Sequence, residues 1–172
     1  MAKLLRKPPL VAADTNLLMA LAGGDDASWE CLDTLKSRRA TPRLIVTPTV
    51  IEELVHFVDE GDTQEKRICA AKALNSLNAW GFAPLNLLPV GHGIVERIGN
   101  ELRRQGLIPD EERHDSFIVA EAALCEADIL VSADPHLHGI DHQRLHVVLA
   151  SFDVKPIIIT WPRRVVRLLG GK

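Results

Sequence analysis

The sequence predicts an α/β fold built on a mainly parallel central sheet of about five strands, with helices on both faces. Three observations predict it. Short apolar runs free of internal polar alternation, as strands buried on both faces require, recur along the chain. Longer stretches of helical spacing separate them, and β-α alternation of this kind builds a parallel sheet. No linker, repeat or low-complexity tract divides the chain, and its 172 residues suit one domain, 1–172, with its core over 10–169.

In chain order, the first strand is expected at Leu10–Ala13, ended by Asp14, with a helix over 15–21 and a Gly-Gly-Asp-Asp loop at 23–26. A helix over 28–37 leads to a second strand at 44–47, then to helices over 49–58 and 63–79. The weakest strand candidate is 85–88. Helices over 93–105 and 116–126 flank a loop at 106–112. A strand at 129–132, a loop at 134–142, a strand at 157–160 and a short helix over 163–169 close the chain.

Composition removes several classes of function. With 47% hydrophobic residues and 20 Lys plus Arg against 23 Asp plus Glu, the chain is neither disordered nor a protein that holds nucleic acid through overall positive charge. No stretch approaches the roughly 20 apolar residues that cross a bilayer, so no membrane association is expected. Lys3, Arg6 and Lys7 precede an apolar run of only four residues, too short for a secretory signal, which points to the cytoplasm. Cys31, Cys69 and Cys125 are odd in number, widely spaced and in helical stretches, and read as buried free thiols.

The informative residues are the acids that end the apolar runs, because open α/β sheets bind ligands beyond the carboxyl ends of their strands. Asp14 ends the first run, Asp134 follows the fourth, Glu52 and Glu53 lie in the first turns of the helix after 44–47, and Asp115 opens a very apolar helix. Each alone suits a helix cap or first-turn position. Gathered together they repel by roughly 4 kcal/mol per pair at about 4 Å and an effective dielectric near 20, so an ionised cluster calls for a cation. Oxygen-only ligands suit Mg²⁺ or Mn²⁺, one or two ions, and that donor set points to metal-assisted phosphodiester hydrolysis. No Walker-type loop or Ser-His-Asp spacing competes.

At these residues the sequence resembles the PIN-domain family of Mg²⁺- or Mn²⁺-dependent ribonucleases, which includes the VapC-type toxins of toxin-antitoxin pairs. Val11-Ala12-Ala13-Asp14-Thr15-Asn16 looks like the family's strand ending in Asp-Thr-Asn, and Val50-Ile51-Glu52-Glu53-Leu54 like its Glu-Leu helix. His114-Asp115-Ser116-Phe117-Ile118-Val119-Ala120-Glu121-Ala122 resembles the Asp-led, alanine-containing helix, and Leu130-Val131-Ser132-Ala133-Asp134 the strand with Thr/Ser-x-Asp at its end. The resemblance implies that Asp14, Glu53, Asp115 and Asp134 are metal-binding and catalytic acids supported by Thr15, Asn16 and Ser132. It implies an endoribonuclease acting on RNA, with a small antitoxin protein as partner and a homodimer as the assembly. A non-catalytic scaffold of the same fold, or a nuclease acting on DNA, are the alternatives. The motif selects Glu53; helical periodicity alone does not, because Glu52 and Glu53 flank the apolar face about equally. The chain departs from the compact toxins in extra length around 59–84 and 136–155, and in Asp134-Pro135, where proline removes an N–H beside the site.

The remaining polar clusters are weaker. His136, His138, His142 and His146 read as exposed or satisfied histidines rather than a zinc site, with His136 and Arg113 as candidates for touching phosphate. Arg38-Arg39, Arg103-Arg104, Arg163-Arg164, Arg167 and Lys172 suit solvated faces, a subset of which would track a single-stranded backbone. With three Trp, four Phe and no Tyr, Trp161 is the one candidate for base stacking. Without the four acids the chain holds 20 basic against 19 acidic residues, so its mild acidity does not argue against an RNA substrate.

Overall fold

Five parallel strands form one sheet in the computed structural model, which describes residues 7–38 and 41–170. Of the basic residues named above, Lys3, Arg6, Arg39 and Lys172 lie outside the described residues. The strands are β1 (Leu10–Ala13), β2 (Arg43–Val46), β3 (Phe82–Pro84), β4 (Ile129–Val131) and β5 (Ile158–Thr160), in the order β3-β2-β1-β4-β5. Val11, Ala12, Ala13, Leu130 and Val131 are all buried, which is why these strands show no polar alternation.

The helices are α1 (Thr15–Gly23), α2 (Asp26–Lys36), α3 (Pro48–Glu60), α4 (Gln64–Trp80), α5 (Pro89–Arg104), α6 (Arg113–Leu124), α7 (Pro135–His138), α8 (His142–Ala150) and α9 (Pro162–Leu169). The chain steps from β1 to β2 to β3 in one direction, then crosses to β4 and β5 in the other. Right-handed crossovers put the connections of these two halves on opposite faces. Accordingly α1, α2, α4 and α9 pack together, as do α5, α6 and α8, while α3 packs on both α4 and α6. No helix among the described residues is long and apolar enough to cross a membrane.

Three expectations are corrected. The third strand is Phe82–Pro84 rather than 85–88. Gly81, at φ 88°, closes α4 in the left-handed conformation and turns the chain straight into the edge strand. The last ladder contact is Leu85 N donating to Val46 O at 2.9 Å, so the leucines beyond it have left the sheet, and Leu88 is 77% exposed. The segment 134–142 is not all loop: α7 occupies Pro135–His138, and α8, unassigned from sequence, follows. The signal for α8 was present, since Asp141 accepts from Gln143 N and Arg144 N as its cap and Leu145, Val148 and Leu149 form one buried stripe. Cys31 is buried as expected, whereas Cys69 and Cys125 are half-buried; all three are free thiols.

Candidate functional site

The strand order reverses at β1, whose neighbours β2 and β4 belong to the two halves of the chain, and the crevice beyond β1 and β4 is where such sheets bind ligands. The register pairs Ala13 with Val131, so Asp14 and Ser132 emerge side by side. Asp14 N donates to Val131 O at 3.0 Å and Ser132 N to Thr160 O at 2.9 Å, which anchors both residues by their backbones. The Ser132 hydroxyl donates to Asp14 Oδ2 at 2.5 Å and accepts from Asp134 N at 2.9 Å, linking two of the acids. Asn16 Nδ2 donates to Asp134 Oδ2 at 3.0 Å.

The other two acids arrive on helices. Thr49 meets Glu121 while Glu53 meets His114, contacts that run in opposite chain directions, so α3 and α6 lie antiparallel. Glu53 sits one turn into α3, where one carboxylate oxygen accepts from Thr15 Oγ1 and the other lies 3.0 Å from His114 Nδ1. Asp115, in the first turn of α6, is 8% exposed. Glu52 points elsewhere: it lines a cavity of about 230 Å³ with His92, Arg113 and Glu121. Among the pair that periodicity left open, Glu53 therefore joins the other acids.

The electrostatics of this cluster are unfavourable without a counter-charge. Burial, then the charges of Asp14, Asp134, Glu112 and Glu53, push the Asp115 carboxyl up to about 8. Burial likewise raises Asp14 to about 6, with Glu53 and Asp134 adding to it and the Ser132 and Thr15 hydrogen bonds opposing it. Asp115 Oδ2 and Thr160 Oγ1 are buried without a hydrogen-bond partner, the first where α6 begins and the second where β5 ends. Buried polar atoms left unpaired at one rim mark a place for a ligand or water.

Among the described residues, no three His, Cys, Asp or Glu side chains stand close enough to form a closed metal cage. Mg²⁺ does not ask for one, because it usually binds through one or two carboxylates, its waters and substrate phosphate. An oxygen-only set with one orphaned Asp115 oxygen fits such an ion.

The departure at Pro135 is resolved by α7. Pro135 occupies its first position, where a missing N–H needs no partner, and Asp134 caps the helix by accepting from His136 N at 2.7 Å. Arg113 lies over Phe117, 5.1 Å from the ring centroid, with Glu96 at 3.8 Å, and lines the cavity that holds Glu52. His142 Nε2 lies 3.2 Å from Ile159 O of β5, and His146 Nε2 lies 3.4 Å from Ile157 O, the residue before that strand. Two residues of the site were not singled out from sequence. His114 hides next to Asp115, and Glu121 is a buried carboxylate accepting from Thr49 N at 3.0 Å and Thr49 Oγ1 at 2.8 Å. A lone acid within the apolar run Ile118 to Leu124 was the signal for Glu121.

A five-stranded parallel sheet in this order, with acids at the ends of β1 and β4 and on the two helices beside them, defines the PIN-like fold. Solved structures share it. A chain of VapBC2 from Rickettsia felis, bound to a promoter DNA fragment, matches with a TM-score of 0.59 and 16% identity over 88% of this chain and 98% of that one. VapBC-1 from nontypeable Haemophilus influenzae matches at 0.53 and 15% over 88% and 96%. DNA-bound VapBC from Salmonella typhimurium matches at 0.54 and 14% over 90% and 98%. At these identities what is shared is the fold. No family model matches the sequence, and no curated protein matches it.

Proposed function

We propose that the protein is a metal-dependent endoribonuclease that hydrolyses single-stranded RNA, and the toxin of a toxin-antitoxin pair whose small partner covers the acidic rim. The carrying observation is the convergence of Asp14, Glu53, Asp115 and Asp134 at the switch point with Asp14 and Asp115 held well above the usual carboxylate range. In this reading the cluster is completed by one or two Mg²⁺ or Mn²⁺ ions, each held by one or two of these four acids together with water. The fold shared with VapBC chains supports the toxin part of the reading.

A bound ion would supply an activated water and offset charge on the leaving oxygen. The chain's own residues fix the geometry. Ser132 holds Asp14 and the backbone of Asp134, Thr15 and His114 hold Glu53, and Asn16 orients Asp134. In the hydrolysis, phosphorus gains a bond to the water oxygen and loses its bond to one ester oxygen, which leaves with a proton. In this reading His136, exposed at the start of α7 beside Asp134, would touch the phosphate.

Asp14→Asn and Asp115→Asn should each lower Mn²⁺-dependent cleavage of single-stranded RNA by at least the roughly 10- to 100-fold that loss of an outer-shell partner costs a metal site, while thermal unfolding remains cooperative. Full cleavage by either folded variant refutes the site. A non-catalytic scaffold of the same fold is the alternative, and calorimetry with Mn²⁺ separates the two: the scaffold takes up no metal at millimolar concentration.

A further inference from the structure

Beyond β5 the rim that holds the acids continues into an aromatic and basic corner. Trp161 follows Thr160, the last residue of β5, and precedes the first turn of α9. His138 of α7 packs on its indole, with ring centroids 5.0 Å apart and planes inclined by 37°. The guanidinium carbon of Arg164 lies 5.3 Å from the indole centroid. The same His138 places Nε2 2.8 Å from Ser132 O, and Ser132 in turn holds Asp14. Direct contacts therefore lead from Asp14 through Ser132 and His138 to Trp161 and Arg164.

The other two tryptophans have structural explanations. Trp29 and Trp80 meet edge to face at 5.8 Å, Trp80 is buried, and Trp29 Nε1 donates to Leu21 O at 3.1 Å. Trp161 is only partly buried, and its covering residue Arg164 is exposed. Arg163 and Arg167 also project from α9 into solvent. An indole overlaid by a guanidinium is a flat, cationic platform. Nucleobases stack on both kinds of surface, and neighbouring arginines attract the backbone that carries them.

We propose that Trp161 and Arg164 form a base-stacking subsite for single-stranded RNA, which holds a nucleobase near the phosphodiester presented to the four acids. Its assignment to RNA rests on the nuclease reading; its geometry does not. Stacking tolerates any base, so the subsite sets strand position and requires an unpaired nucleotide at this distance from the cut.

The test measures binding by fluorescence anisotropy, in EDTA so that cleavage does not intervene. The probes are a short labelled oligoadenylate, an abasic ribose-phosphate chain of equal length, and an oligodeoxyadenylate. Wild-type protein should bind oligoadenylate roughly tenfold more tightly than the abasic chain. Trp161→Ala should lose that preference, Trp161→Phe should keep most of it, and Arg164→Ala, at an exposed position, should reduce it. No preference in the wild type, or the same preference in Trp161→Ala and Arg164→Ala as in the wild type, overturns the subsite. Tighter binding of the deoxy chain overturns its assignment to RNA. Mn²⁺-dependent cleavage is read separately. A base preference that depends on Trp161 without cleavage keeps the subsite and removes the nuclease, whereas cleavage with a preference independent of Trp161 does the reverse.

Discussion

Asp115 is an acid whose folded environment works against its charge. Its carboxyl is raised to about 8 and that of Asp14 to about 6, against about 4 for an aspartate in the unfolded chain. Between those values the metal-free folded protein keeps protons that the unfolded chain has released. Its stability therefore falls as pH rises from about 4 towards 8. In EDTA, the urea midpoint of the wild type should drop between pH 6 and pH 8. Asp115→Asn, which has no proton to lose, should be more stable than the wild type at pH 8 and show a flatter profile. Parallel profiles for the two proteins would contradict the electrostatic account of the cluster.

The elements deliver these residues through close packing of helices. α5 and α6 approach so nearly at Gly99 that a Cβ there would lie 2.6 Å from Phe117 Cδ1 and 3.0 Å from Ser116 Oγ. Ser116 neighbours Asp115, so the fit of the two helices bears directly on the site. Alanine is the better helix former by about 1 kcal/mol, yet overpacking costs about 1 to 3 kcal/mol. Gly99→Ala should thus destabilise by about 1 kcal/mol net, seen as a lower urea midpoint at unchanged slope. Glu121 ties α6 to the start of α3, where Thr47 offers no side-chain cap. That tie fixes the height at which Glu53 meets His114.

For the whole molecule, the sum of charges and the site belong together. The four clustered acids carry a formal charge of -4 against a net -3 for the chain, and an ion that binds them only in the folded state should be felt as stability of the entire fold. Mn²⁺ at about a hundred times its dissociation constant adds roughly 2.7 kcal/mol, which for a domain of this size raises Tm by about 5 to 10 °C. The rise should vanish in Asp14→Asn. A wild-type Tm indifferent to Mn²⁺ at pH 7.5 would count against the metal-bound reading.

The sequence by itself determined the layered fold and the strand-end acids. Buried parallel strands must be continuously apolar, so the polar residue that ends a run marks the rim, and Asp14 and Asp134 are legible there, whereas Ser132 enters only through the family resemblance. Short-range pattern was enough for those positions, and for the cap and stripe of α8, although that helix went unassigned. The third strand was misplaced because an edge strand of three residues carries almost no pattern, and the leucines after it are as apolar as any strand. Periodicity leaves Glu52 and Glu53 equal and the family resemblance selects Glu53; the tertiary structure, by where α6 lies, turns Glu53 to His114 and Glu52 to another cavity. It also decided that Glu121 is a buried tie and that Trp161 stands beside His138 and Arg164, for these are contacts between elements far apart in the chain. Local spacing fixes which way a side chain leaves its own element, and packing fixes what it meets.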